Sequence, residues 1–201
     1  MPLLTTNVPV LDVGLLHDRP GDSAVTQSQV SFSGYVWNVV TDDVVLSNGD
    51  VVHRDVVRHP GAVAVIALDE DGHVVLVEQY RHPMMSRMWE APAGLRDVDG
   101  EPALVTAQRE LAEEAGLQAE QWTPLLELAL TPGGSDEIIS VFLAEKLSAC
   151  EVADFVPEGE EADIVVGRFP LQEVIEAVLA GRIRNATLAC AVLALGLRNP
   201  R

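Results

Sequence analysis

Between Pro102 and Gly116 the chain has little choice of conformation. Pro102 suits the first turn of a helix, Gly116 suits its C-cap, and the intervening residues are mostly good helix formers. On a helical wheel at about 100° per residue with Leu104 at zero, Leu111 and Ala115 fall within about 20° and Ala107 about 60° away. Glu113, Glu110 and Glu114 fall near about 180°, 240° and 280° on the same wheel. The predicted helix therefore sets three carboxylates against an apolar stripe. Like charges three and four residues apart destabilise a bare helix, and the C-terminal end of the dipole disfavours anions. Two readings are open. The face is simply solvated, or its oxygens hold a divalent cation that also grips a substrate phosphate. Arg109 stands four residues before Glu113 and can reach Glu101.

The flanking pattern supplies a sheet for this helix to cover. After His59-Pro60-Gly61, the run AVAVIAL, a turn DEDG and HVVLVEQY read as a hairpin whose first strand is apolar on both faces and central. The stretch from Pro83 to Gly94 reads as a shaped loop. Strands are predicted near 124–130, 138–144 and 164–168, with helices at about 171–180 and 184–197. Asn185 sits awkwardly at the start of the last helix. Upstream, β-branched runs around Asn48-Gly49-Asp50 predict a small β unit at about 30–58. So few strands cannot close a sizeable core, so this unit is an attachment or a dimerisation arm. Residues 1–29 show weak periodicity. The expected class is α/β, with helices on a mixed sheet over 59–201 and an N-terminal β region over 1–58.

Composition narrows the function. Thirteen basic residues against 31 acidic ones leave a net charge of −18, which argues against a nucleic-acid or anionic-membrane surface. Cys150 and Cys190 form neither a metal pair nor a disulfide pattern, and the first residues lack a basic leader, so a reduced, cytoplasmic setting is expected. The apolar run from Ala186 to Leu197 is shorter than the ~20 residues needed to span a bilayer. The five histidines never take a metal-ligand spacing such as His-x-x-x-His.

Gly94 to Leu117 resembles the signature box of the Nudix hydrolases: Gly, a spacer, Glu101, seven residues, then Arg109-Glu110-Leu111-Ala112-Glu113-Glu114-Ala115-Gly116-Leu117. The first spacer here is six residues where the box has five. The resemblance implies a Nudix α/β/α sandwich. It further implies Mg²⁺ (or Mn²⁺) held by Glu110, Glu113, Glu114 and the Ala93 carbonyl, with Glu101 paired to Arg109.

Segments outside the box resemble the ADP-ribose pyrophosphatases of that family, most closely the actinobacterial ones. Pro132 lies fifteen residues beyond Leu117, and Glu78-Gln79-Tyr80-Arg81-His82 and Trp89-Glu90-Ala91-Pro92-Ala93-Gly94 fit the same pattern. The implied reaction is ADP-ribose plus water giving AMP and ribose 5-phosphate, in a homodimer whose β region is exchanged between subunits. Sugar nucleotides, other dinucleotides and a non-catalytic ligand sensor are the alternatives. The resemblance assigns the general base to Glu161, with Glu160 in reserve, in Glu160-Glu161-Ala162-Asp163. Read alone, that acidic segment (151–163) is a solvated loop. An anionic protein needs local arginines to accept a diphosphate, and Arg81, at a strand exit, is the first choice. Arg54 and Arg58 of the arm are further candidates. Trp89 packs or stacks near the adenine or, more simply, belongs to ordinary core or loop packing, and Glu137 assists with substrate or metal.

Overall fold

The structure, a computed structural model, describes residues 11–152 and 163–198. Its main body is a mixed sheet of strands β4 (Ala62–Leu68), β5 (His73–Arg81), β6 (Ser86–Glu90), β7 (Ala93–Leu95), β8 (Leu117–Leu128), β9 (Ile139–Ala149) and β10 (Val165–Pro170). The path runs β10-β5-β4-β9-β8. β4 and β9 are parallel, and the other pairs are antiparallel. Three helices cover the sheet: α1 (Ala103–Ala115), α2 (Leu171–Leu179) and α3 (Ala186–Arg198).

β4 holds the two layers together. Its odd-numbered residues Val63, Val65 and Ala67 join Ala107 and Leu111 of α1 in one core. Its even-numbered Ala64 and Ile66 join Val174 of α2 and Leu188, Val192 and Leu195 of α3 in the other. A strand buried on both faces has no polar positions to alternate, which is why AVAVIAL is continuous. The result is the expected α/β/α sandwich.

Three local features differ from the sequence reading. The loop expected over 83–94 contains two strands. β4 and β5 pair only at Ala67 and Leu68 and then part, β6 extending β5 and β7 extending β4. On α1, Leu104 is 37% exposed while Thr106 is fully buried. The buried stripe centres on Ala107 and Leu111, because the Thr106 hydroxyl finds a partner inside by donating to Glu101 Oε2 at 2.7 Å. Asn185 is no obstacle to α3, since its Oδ1 accepts the Leu188 N–H at 2.8 Å as a cap.

The N-terminal unit is a separate antiparallel sheet, β1 (Ala24–Ser33), β2 (Asn38–Val45) and β3 (Val51–Arg58). It begins earlier than expected, and Gly34 to Trp37 form the turn between its first strands rather than strand. Every residue of β1 is exposed. Among the described residues, no helix is long and apolar enough to cross a membrane.

Candidate active site

The box folds around one close approach. β7 lies antiparallel to the start of β4, with Gly94 opposite Val63, and α1 crosses above it. A Cβ at Gly94 would fall on the Glu110 carboxylate, so any side chain there is accommodated only if that carboxylate moves away. Beside it, the Ala93 N–H donates to Glu114 Oε2 at 2.9 Å. The additional spacer residue is taken up in a tight turn before the helix. There the Glu101 N–H bonds Val98 O at 3.1 Å and Gly100 has φ +76°. Gly94 and the carboxylates thus keep their relation despite the longer loop.

Arg109 is the cation that these acids share. Its Nη1 lies 2.7 Å from Glu110 Oε1 and 3.0 Å from Glu113 Oε2, while Glu101 is more distant at 3.7 Å. Burial opposes the charge, but Glu110, Glu113 and Glu101 together hold the guanidinium more firmly protonated. For Glu114 the balance goes the other way. Burial pushes its carboxyl up to about 7, and the neighbouring Glu110 and Glu90 add to this against the Ala93 N–H and Arg81. Glu110, Glu113 and Glu114 line a cavity of about 470 Å³ with Ala93, Gly94, Arg81 and Arg109. A pocket walled by oxygen donors, one of them too crowded to ionise freely, fits a hard divalent cation such as Mg²⁺.

Glu114 makes the metal-free protein pH-sensitive. Its folded pKa lies above that of an ordinary glutamate, so its contribution to stability is fully present at low pH and is lost as pH rises through about 7. The loss is on the order of 3 kcal/mol, given a carboxyl near 7 against an ordinary value near 4.5. Denaturant titrations in EDTA at about pH 5 and about pH 8 should show wild type losing stability relative to Glu114→Gln, with saturating Mg²⁺ restoring it. Parallel pH profiles for the two proteins would overturn this assignment.

A second cavity of about 450 Å³ adjoins the first and shares Arg81, Ala93, Gly94 and Leu95 with it. Its other walls include Trp37, His59, Glu90, Leu130 and Glu137. Arg81 is held at the junction by a two-pronged pair with Glu90, Nε to Oε1 at 3.0 Å and Nη2 to Oε2 at 2.8 Å. Glu90 is only 4% exposed. Only the Glu90 end is buried, the Arg81 side chain being 40% exposed, so the fork fixes the orientation of the guanidinium while leaving it open to solvent and ligand.

The structure brings together Arg81, Ala93, Glu101, Arg109, Glu110, Glu113 and Glu114, and sets Glu137 in the adjoining cavity. It does not bring Trp89 to either cavity. Glu90 and Trp89 are neighbours on β6 and point to opposite faces. The Trp89 ring packs edge-on against Phe169 at 4.9 Å and lines a third cavity with Leu76 and Val174. Arg54 is exposed on β3 and donates to the carbonyl of His53. Arg58 is engaged by Asp42 and Asp136. Glu160 and Glu161 lie outside the described residues. Sequence reasoning missed His59 and Leu130 as walls of the second cavity, and also Glu90 and Trp37. The alternation of β6 and the turn at Gly34 to Trp37 were the signals that could have found the last two.

A tight acidic group, Asp69, Asp71 and His73, belongs elsewhere. Asp69 Oδ1 accepts the Asp71 and His73 N–H groups at 3.0 and 2.8 Å, and Oδ2 meets Arg168 at 2.9 Å. This is the cap of the β4–β5 turn. From Ala64, which pairs with Ala93, to Asp69 the strand runs roughly 17 Å at about 3.3 Å per residue, so the group lies at the opposite end of the sheet.

Comparison with known proteins adds a family and relatives. The NUDIX domain family matches residues 58–190. The chain is 42% identical over 185 residues to the ADP-ribose pyrophosphatase of Mycobacterium tuberculosis, covering 90% of this chain and 88% of that one. It is 36% identical over 177 residues to the ADP-ribose pyrophosphatase of Bacillus subtilis, covering 88% and 94%. A solved structure described as an ADP compounds hydrolase superposes with a TM-score of 0.74 at 21% identity, covering 90% of this chain and 96% of that one, which establishes a common fold.

Proposed function

The chain belongs to the NUDIX family, and from that premise we propose that it hydrolyses ADP-ribose at the diphosphate, consuming water and releasing AMP and ribose 5-phosphate. The observation that carries this reading is the pair of cavities joined at Arg81, one walled by the α1 carboxylates and the other by Trp37, His59 and Glu137. The names of the two pyrophosphatase relatives support the choice of substrate.

Glu110, Glu113, Glu114 and the Ala93 carbonyl would hold Mg²⁺, or Mn²⁺ in its place. The metal would neutralise the crowded diphosphate oxygens and acidify water. Arg81, kept in one orientation by Glu90, binds a diphosphate oxygen and fixes the register of the substrate between the cavities. Arg109 and Glu101 act on the pocket rather than the substrate, holding helix and loop so that the Glu110 carboxylate stays over Gly94. Glu161 takes the proton from the attacking water, an assignment resting on its sequence context. Glu137 and Trp37 wall the nucleoside side.

The proposal extends to a homodimer. The arm exposes Val25, Val30, Phe32 and Tyr35 on a sheet with little core of its own, an apolar surface of the kind a second copy would cover. Arg54 would then meet substrate only in the partner's cleft.

The test is a product assay with ADP-ribose and a panel of sugar nucleotides and dinucleotides, with and without Mg²⁺, scored by kcat/KM. ADP-ribose should lead the panel by about tenfold or more, with AMP as product and no turnover in EDTA. A sugar nucleotide in first place would overturn the substrate, and metal-independent cleavage would overturn the site.

A further inference from the structure

The turn from Thr131 to Glu137 is fastened to the end of the arm by a dense set of hydrogen bonds. The Val57 N–H donates to Gly134 O at 2.8 Å, and Val57 O accepts from the Asp136 N–H at 3.3 Å and from Ser135 Oγ at 3.2 Å. The Asp136 carboxylate closes the set. Oδ1 accepts the His59 N–H at 2.9 Å, and Oδ2 accepts Arg58 Nη1 at 3.1 Å. The other end of the same guanidinium donates to Asp42 Oδ2 at 2.6 Å. Asp42 is 3% exposed and also accepts from the Ser28 hydroxyl of β1. One arginine is thus strung between a carboxylate buried in the arm and a carboxylate on the turn.

The residues next in sequence to the two ends of this latch are walls of the second cavity. His59 follows Arg58, and Glu137 follows Asp136. His59 Nε2 lies 3.6 Å from Glu137 Oε1, and the His59 ring is 6.1 Å from that of Trp37 at 45°. Burial works against ionisation of Asp136, but the His59 amide and the Arg58 guanidinium hold its carboxyl below the usual range, so the latch stays charged at neutral pH.

We propose that Asp136 is a positioning residue: by gripping Arg58 and the His59 amide it fixes His59, Glu137 and Trp37 as one wall, and the arm thereby takes part in selecting the nucleotide. The role of Arg58 is then to carry the arm's position to the wall. The inference rests on the reading above in taking this cavity as the nucleoside pocket. It needs no contact between Asp136 and substrate, and it leaves the carboxylates of α1 untouched.

The test compares Asp136→Asn with wild type, and Asp42→Asn as a second break in the same latch, by kcat and KM across the nucleotide panel and by calorimetric affinity for AMP in EDTA. A wall displaced by a fraction of an ångström should raise KM for ADP-ribose and weaken AMP about tenfold, with kcat within about twofold, because the reacting end is unchanged. Asp42→Asn should shift KM in the same direction. The preference between ADP-ribose and substrates with another base should fall in parallel. Variants that melt earlier but keep KM, AMP affinity and preference within about twofold of wild type would overturn the proposal, since a structural tie alone behaves that way. So would a loss of kcat with KM unchanged. A wild-type chain that binds AMP but cleaves nothing would remove the hydrolase reading and leave the latch to be judged on affinity. One that neither binds nor cleaves overturns both.

Discussion

Glu114→Gln should lower turnover by roughly three orders of magnitude while leaving the metal-free protein at neutral pH at least as stable as wild type. The two halves of this expectation have one cause. In the folded protein without metal, Glu114 is buried beside Glu110 and Glu90, and its carboxyl is pushed up to about 7. A carboxamide has the shape of the protonated acid and carries no charge, so it relieves the crowding and can still accept the Ala93 N–H through its oxygen. What it lacks is the negative charge that would balance a divalent cation. Steady-state kinetics at saturating Mg²⁺, with urea denaturation of the same samples in EDTA, measure both. Turnover within about tenfold of wild type would remove Glu114 from the metal set.

Gly94→Ala should be nearly as damaging, by a different route. One methyl group placed at Gly94 meets the Glu110 carboxylate, and that carboxylate is tied to Arg109 at 2.7 Å. Because β7 is paired to the core strand β4, the backbone has little room to retreat, and the carboxylate must move instead. Rotation of Glu110 away from Glu114 breaks up the donor set, so turnover should fall by about a hundredfold or more and the Mg²⁺ requirement should shift to higher concentration. Calorimetric titration with Mg²⁺ distinguishes this from a folding defect. Wild-type Mg²⁺ affinity and kcat in the Gly94→Ala variant would mean that the close approach has no functional role.

Much of the fold and of the acidic half of the site is legible in the sequence. The α1 carboxylates and Arg109 belong to a continuous helix, where spacing alone decides which side chains share a face. The two-faced burial of β4 could be read because seven apolar residues in a row admit few alternatives. The remainder depended on contacts distant in sequence. Glu90 became a wall residue through its pair with Arg81, nine positions away on a neighbouring strand. Arg58 was taken up by Asp136, seventy-eight positions away. On α1 only the edge of the stripe differs, Thr106 being buried beside Ala107 and Leu111 while Leu104 is exposed. Thr106, polar in isolation, is satisfied by Glu101 once the loop folds back. Trp89 packs in the interior against Phe169, while Trp37, to which the sequence assigned no role, walls the second cavity, since composition says nothing about which aromatic goes where.

β4 sets a limit on how this chain can diverge. Shifting the strand by one residue would send Val63, Val65 and Ala67 to the α2–α3 layer and Ala64 and Ile66 to the α1 layer. The same slip would carry β7, and with it Gly94, out of step with Glu110. Insertions are therefore absorbed where the chain has slack, as the longer spacer before Glu101 illustrates, while between Ala62 and Leu68 a change of length would disassemble both packing layers and the cation pocket together.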